Sequence, residues 1–321
     1  MNDTPLRWGI MGTGGIAKAF ADDLALTTSG VVAAVGSRTA EGAARFADAR
    51  GIPTRHGSYE ALANDPDIDV VYVATPHPLH HANARLALEA GKPVLVEKPF
   101  TMNAAEARDL VELAREKGLF LMEAMWTRFL PHIRHVRELL PSLGRVVTVS
   151  ADHGQWFAED PGFRLFAPEL GGGALLDLGI YPVSFASMVL GAPARVAAMA
   201  TPAFTGVDAQ LSMLFGYDSG AQAVLSCTLS AASPTTASIV GTDARIEIEG
   251  AFYAPASFTL IPREGERRRF EYVDEGRGLR YQADEVALRL ANGETESPLM
   301  PLAETVSIMT TVDEVLAATR T

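Results

Sequence analysis

The hydrophobic pattern changes character once along the chain. From Leu6 to Met122, short continuous apolar runs (LRWGIM, VVAAVG, VVYVA, VLV) are separated by stretches in which apolar residues recur every three or four positions. Continuous runs bounded by turn residues predict strands buried on both faces, and the spacing between them predicts amphipathic helices. The expected helices are 41–50, 58–64, 80–90 and 103–117, plus one opening after the first run; the expected strands are 6–11, 31–36, 52–56, 70–74, 94–96 and 120–122. Strands alternating with helices predict a doubly wound parallel sheet, an α/β Rossmann arrangement.

From Arg145 onward the period becomes two. VVTVSADHG, RVAAMATPA, AQLSMLFGYDSGAQAVLSCTLS, SIVGTDARIEIEG and SFTLIPREGERRRFEYV alternate apolar with polar residues, and Tyr217 to Gly220 makes a hairpin turn. That texture predicts a large open, mainly antiparallel sheet in an α+β domain. A helix over 131–140 precedes it, a glycine-led helix from Gly171 interrupts it, and a helical pattern over 302–319 ends the chain. The change of texture places a domain boundary near Glu123, giving a dinucleotide-binding domain at 1–123 and a substrate-binding and dimerisation domain at 124–321. The 321 residues exceed what one hydrophobic core usually holds.

Composition narrows the function classes. A net charge of −12 argues against a phosphate-backbone partner, which clustered lysine and arginine would have to hold. One cysteine, Cys227, excludes an intrachain disulfide and a multi-cysteine metal site, and fits a reducing compartment. The opening MNDTPLRWGIMG carries no basic-then-apolar leader pattern, and no uninterrupted apolar run reaches the length of a membrane span, so a cytoplasmic, soluble protein is expected.

Candidate chemistry begins directly after the first strand. Gly12-Thr13-Gly14-Gly15-Ile16-Ala17 fits G-x-G-x-x-A between strand and helix, with Gly12 for the tight turn, Gly14 for close approach of a pyrophosphate and Ala17 for helix packing. A glycine-rich turn without a nucleotide is the alternative reading. The second strand ends in Ser37-Arg38, where an NAD-selective site would carry an acid for the ribose hydroxyl; a guanidinium there favours the 2′-phosphate of NADP(H). Thr75-Pro76-His77 with His80, and Glu97-Lys98-Pro99, fall at carboxyl ends of strands, where ligands bind in open α/β sheets. His77, His80 and His81 read as surface or capping residues rather than metal ligands, and no metal site is expected. Lys98 stands where a strand enters the site, close enough to share in catalysis or simply to close the strand.

Gly171-Gly172-Gly173 calls for φ > 0 or a close backbone approach, read here as room for substrate and nicotinamide. Behind the glycines, Asp177 and Tyr181 stand four apart, which on an α-helix puts both on one face.

GTGGIA, EKPF, MEAMWTRFLP and GGGALLDLGIYP, in that order, resemble the Gfo/Idh/MocA oxidoreductases across essentially the whole chain. The family motif after the glycines usually ends in histidine; here Tyr181 stands in its place, which resembles the branch of dimeric dihydrodiol dehydrogenases and NADP-dependent D-xylose dehydrogenases. The resemblance implies catalytic roles for Lys98, Asp177 and Tyr181, a commonly cis Lys98–Pro99 bond and a homodimer or higher homo-oligomer built through the C-terminal sheet. The expected reaction is hydride transfer between NADP(H) and a hydroxyl-bearing carbon of a small-molecule sugar or trans-dihydrodiol. Tyr181 would accept the proton, Lys98 would lower its pKa from the free value of about 10, Asp177 would orient hydroxyls, and Trp126 and Arg128 would contact substrate. Alternatives are another polyol or keto-sugar, or a non-catalytic NADP-binding regulator.

Overall fold

The computed structural model describes residues 5–319. The expectation about a leader falls partly on residues 1–4, outside those described. The chain divides into two compact units: Met1–Trp126 with Glu275–Thr305, and Thr127–Asp274 with Val306–Thr321.

In the first unit, β1 (Leu6–Met11), β2 (Gly30–Gly36), β3 (Thr54–His56), β4 (Val70–Val73), β5 (Val94–Glu97) and β6 (Leu121–Ala124) form a parallel sheet in the order β3-β2-β1-β4-β5-β6. The strand order reverses between β1 and β4, the switch point at which such sheets take up ligands. Every position of β4 and β5 is buried, which is why these strands read as unbroken apolar runs. α1 (Gly15–Leu24), α2 (Ala40–Asp48), α3 (Tyr59–Ala63), α4 (His80–Glu89) and α5 (Ala104–Lys117) connect them. Local chemistry sets their ends. Thr39 and Asn103 accept the Gly42 and Glu106 amides at 3.1 and 2.9 Å, Glu106 reaches back to the Met102 amide at 3.1 Å, and Gly118 ends α5 with φ of 62°.

Residues 275–305 join this unit through contacts that the local pattern does not announce. Asp23 on α1 accepts the Arg277 and Leu279 amides at 3.0 and 2.7 Å, just before α8 (Arg280–Ala291). Asp284 accepts the Thr27 and Ser29 hydroxyls at 2.7 and 2.6 Å.

The second unit opens with α6 (Pro131–Leu139) and β7 (Val146–Gly154). Then come α7 (Ile180–Leu190), β8 (Arg195–Pro202), β9 (Asp208–Gly216), β10 (Gln222–Thr228), β11 (Ala237–Gly241), β12 (Ala244–Ile248), β13 (Phe258–Pro262) and β14 (Arg268–Phe270). The eight strands run β14-β13-β12-β11-β7-β10-β9-β8, antiparallel except for the β7–β10 pair. Along β9, buried Leu211, Met213 and Phe215 alternate with exposed Gln210, Ser212 and Leu214, so one face is packed and the other open. α9 (Leu302–Ala318) ends the described chain.

The expected helix after the glycines is present with one difference: Leu175–Gly179 is a π-turn that runs directly into α7. Pro182 gives the reason. It has no N–H to offer the Leu178 carbonyl four residues back, and its ring crowds that carbonyl, so the turn widens. The His153 Nδ1–H, 3.2 Å away on β7, donates to the Leu178 carbonyl. Pro168–Leu190, although interrupted by Glu169 and Asp177, is long and apolar enough to cross a membrane by length and composition, yet 78% of its most apolar window is buried inside the fold. It is built like a core helix.

Candidate active site

The first unit contributes a glycine loop. Gly12 has φ of 116°, and a Cβ there would lie 2.6 Å from the Ala74 carbonyl oxygen, so only glycine lets the chain turn past the end of β4. Gly14 and Gly15 differ: a Cβ at either would meet nothing within 4 Å. Gly14 caps α1 without any side-chain hydrogen bond, leaving the first amides of the helix to an incoming anion. With Thr13 and Ile16 half-buried and Ala17 fully buried against the sheet, this loop fits a dinucleotide pyrophosphate. Ser37 is buried at the end of β2 and Arg38 exposed beside it. The Tyr59 phenol is pushed up by burial, against the pull of the Arg38 charge.

At the ends of β4 and β5 the chain braces itself. His80 is fully buried, with Nδ1 2.7 Å from the Pro99 carbonyl and Nε2 2.8 Å from the Thr75 carbonyl. It is therefore neither a surface nor a capping histidine: it ties the two strand ends together. Burial holds its pKa below the usual value, the nearby Lys98 charge adds to that, and the two carbonyls oppose it. The Thr75 hydroxyl accepts from Asn83 at 3.1 Å, Pro76 is exposed, and the buried His77 ring lies 5.7 Å from His80. His81 pairs with Asp109 at 2.7 Å. Glu97 is buried, accepting the Tyr72 hydroxyl and the Lys98 amide. Lys98 is half-buried, the Lys98–Pro99 bond is cis, and Trp126 is buried where this part of the unit ends. Among the described residues no three histidine, cysteine, aspartate or glutamate side chains gather as a metal site.

The second unit holds Asp177 and Tyr181. The Asp177 carboxylate lies in the π-turn and accepts both arms of the Arg164 guanidinium at 3.1 Å each. The Tyr181 ring sits in a frame of two others, edge-on to His153 at 5.3 Å and tilted against Tyr253 at 4.7 Å, while His153 stacks on Tyr253 at 4.3 Å. The Gln155 amide nitrogen is 3.0 Å from His153 Nε2 and 3.2 Å from the Tyr253 hydroxyl. The His153 Nδ1–H is given to the Leu178 carbonyl, and Nε2 faces the Gln155 amide. Arg128, expected at the substrate, is fully buried. Its Nε and Nη2 donate to the hydroxyl and carbonyl of Ser184 at 3.0 and 2.7 Å, bracing α7.

The triple glycine shows both the positive φ and the close approach expected of it, and the approach is made by groups of the chain itself. Gly171 has φ of 67°, and a Cβ on Gly172 would stand 2.7 Å from the Leu165 carbonyl oxygen. The Gly172 and Gly173 amides donate to the Ala167 and Leu165 carbonyls at 3.1 and 2.9 Å. A Cβ on Gly173, whose φ is 118°, would enter the Asp208 carboxylate. The close approach is made by the chain's own segment 165–167 and by Asp208. Sequence reasoning missed Arg164, His153, Gln155 and Tyr253. They meet Asp177 and Tyr181 only through folding, and no local signal marks them.

Comparison with known proteins follows the same division. A family model described as an oxidoreductase family with an NAD-binding Rossmann fold matches residues 6–125, and one described as a GFO/IDH/MocA C-terminal domain matches 133–247. A trans-1,2-dihydrobenzene-1,2-diol dehydrogenase of Xenopus laevis is 40% identical over 326 aligned positions, 97% of each chain. Among solved structures, a 3-ketoreductase from Actinomadura kijaniata in complex with NADP superposes with a TM-score of 0.87 at 27% identity, covering 98% of both chains. An aldose-aldose oxidoreductase from Caulobacter crescentus, complexed with glycerol, superposes with a TM-score of 0.89 at 25% identity, again over 98% of both.

Proposed function

The chain belongs to the Gfo/Idh/MocA oxidoreductase family, and on that premise we propose that it transfers a hydride between NADP(H) and a hydroxyl-bearing carbon of an uncharged sugar, such as an aldose, or of a trans-dihydrodiol. The observation that carries this reading is Tyr181, a phenol framed by His153 and Tyr253 on the same helix as the buried Asp177. The dinucleotide, when bound, supplies the hydride acceptor or donor. The amides opening α1 hold its pyrophosphate, and the exposed Arg38 takes the 2′-phosphate where an acid would repel it. Tyr181 accepts the hydroxyl proton on oxidation. Its phenol needs a cation to do so near neutral pH, the role we give to Lys98. Asp177 orients substrate hydroxyls, and Trp126 packs over substrate or nicotinamide. The 27% identical 3-ketoreductase favours a second reading on the same scaffold, reduction of a keto-sugar with Tyr181 as the proton donor.

We assign two copies to the open face of the eight-stranded sheet. Across it runs an apolar groove of about 1040 Å³ lined by Met199, Leu214 and Val224, each well exposed. The cytoplasm is the compartment we assign, since the one cysteine, Cys227, is free and buried.

The test follows NADPH absorbance with aldoses, polyols and trans-dihydrodiols, using NAD⁺ as the control cofactor. Tyr181→Phe is expected to lower kcat by about a hundredfold or more, the scale of general acid–base catalysis. Full activity of that variant on the best substrate would remove Tyr181 from the reaction.

A further inference from the structure

We propose that Asp208 is a positioning residue: its carboxylate reaches across from β9 to hold the π-turn that carries Asp177 and aims Tyr181, and turnover is full only while that carboxylate is charged. The inference rests on the oxidoreductase reading above and concerns residues of the second unit alone.

The π-turn lies over three neighbouring strands, β7, β10 and β9, and each holds it at one point. Toward its end, the Leu178 carbonyl receives the His153 Nδ1–H from β7 at 3.2 Å. Gly179 rests on the Cys227 sulfur of β10, where a Cβ would stand 2.8 Å from Sγ. At its start, Asp208 at the head of β9 accepts the Leu175 amide at 2.6 Å and takes the Ala174 amide as well. Gly173, with φ of 118°, makes room for this contact, since any side chain there would enter the carboxylate. The strand is pinned beside the same point, the Ala209 carbonyl accepting the Leu229 amide at 2.8 Å.

The hold passes to the site along one stretch of helix. Leu175 stands two residues before Asp177 and six before Tyr181, so a first turn that slips moves both functional groups. Amides that open a helix have no partners inside it and carry its positive end, so a charged acceptor holds them more tightly than a neutral one. Charge at this place is costly. The carboxylate faces the glycine turn, burial pushes its pKa up to about 6, and the Leu175 and Ala174 amides offset that only in part. Asp208 is therefore charged at neutral pH and becomes neutral as pH falls through about 6. Stability runs the other way, because the folded protein favours the protonated group. A carboxylate kept charged against stability, at the start of the helix that bears the functional pair, argues for a role in activity.

Other titratable groups border the turn: Asp177 with Arg164 on its own segment, Tyr181 on α7, His153 on β7 and Cys227 on β10. Burial and the Asp208 charge both push the Cys227 thiol up, so it stays neutral across this range. The rest are shared by wild type and an Asp208 variant, and a ratio of the two isolates Asp208.

The experiment measures kcat at pH 5 and pH 7.5 for wild type and Asp208→Asn over aldoses, polyols and trans-dihydrodiols with saturating NADP⁺. Hydrogen exchange of the segment 174–181 is followed at both pH values and corrected for intrinsic exchange rates. Asparagine keeps the size and one accepting oxygen but loses the charge. At pH 7.5 wild type is expected to exceed Asp208→Asn about tenfold in kcat, with KM for NADP⁺ changed by less than about twofold; at pH 5 the kcat ratio closes to about one. Protection of the segment falls in wild type over the same interval and stays level in Asp208→Asn. A kcat ratio that is the same at both pH values, or wild-type protection that does not change, overturns the inference and leaves the oxidoreductase reading standing. Wild type inactive on the whole panel counts against that reading itself, and the exchange measurement, which needs no turnover, still decides whether Asp208 holds the turn. Wild-type exchange alone decides it if Asp208→Asn does not fold.

Discussion

The Asp208 carboxylate stands at the start of the helix that carries Asp177 and Tyr181, accepting the Leu175 amide at 2.6 Å. Burial pushes its pKa up to about 6, against the amides of Leu175 and Ala174 that favour the charge. A folded-state pKa above the unfolded one means that the folded protein binds the extra proton. This contribution is therefore fully present below about pH 4 and is lost as pH rises through about 6, by at most ~3 kcal/mol. Asp208→Asn keeps an acceptor for the amide and removes the titration, so its urea stability is expected to fall less than that of wild type between pH 4 and pH 7. Identical pH slopes would show that Asp208 is not the group responsible. Asp69, Asp109 and Asp152 are held below the usual range and give stability of the opposite sign, present above the unfolded pKa and lost on acidification; the wild-type minus variant difference removes them. Asp177 and Tyr181 were singled out at this scale by their types, their spacing and the family resemblance of the stretch that carries them. Arg164 and His153 were not, since an arginine thirteen residues upstream and a histidine on a strand acquire meaning only from what they touch.

Among the elements, the glycine loop separates two uses of one residue type. Gly12 is glycine because the fold requires it, and Gly14 stands in open space. Gly12→Ala is accordingly expected to destabilise the first unit by about 1–3 kcal/mol or more, through φ strain and the clash with the Ala74 carbonyl. Gly14→Ala is expected to leave the melting temperature nearly unchanged while weakening NADPH binding by tenfold or more in a fluorescence titration. A Gly14→Ala protein that binds NADPH as wild type does would take the pyrophosphate away from this loop. The elements were legible wherever period and caps agreed, as in α5 between Asn103 and Gly118. The π-turn was not. Pro182 in the helix was visible, but whether the chain would kink, stop or widen depended on His153 being in reach of the Leu178 carbonyl.

For the whole molecule, the open sheet face is the feature with the largest consequence. Met199 is 76% exposed, and Leu214 and Val224 stand beside it on neighbouring strands, an apolar patch of the kind that marks an interface. Light scattering is expected to find wild type as a dimer and a Leu214→Glu, Val224→Glu variant as a folded monomer; a monomeric wild type defeats the assignment. By itself the sequence determined the α/β and α+β classes and the glycine turn that opens the first helix, because periodicity and turn chemistry are local properties written into adjacent positions. Only the tertiary structure decided that residues 275–305 belong with the first unit through Asp23 and Asp284, that His80 and Arg128 are buried braces, and that the triple glycine seats the segment bearing Arg164. Each of these depends on groups distant in sequence being brought within a few ångströms, and the local pattern does not encode that distance.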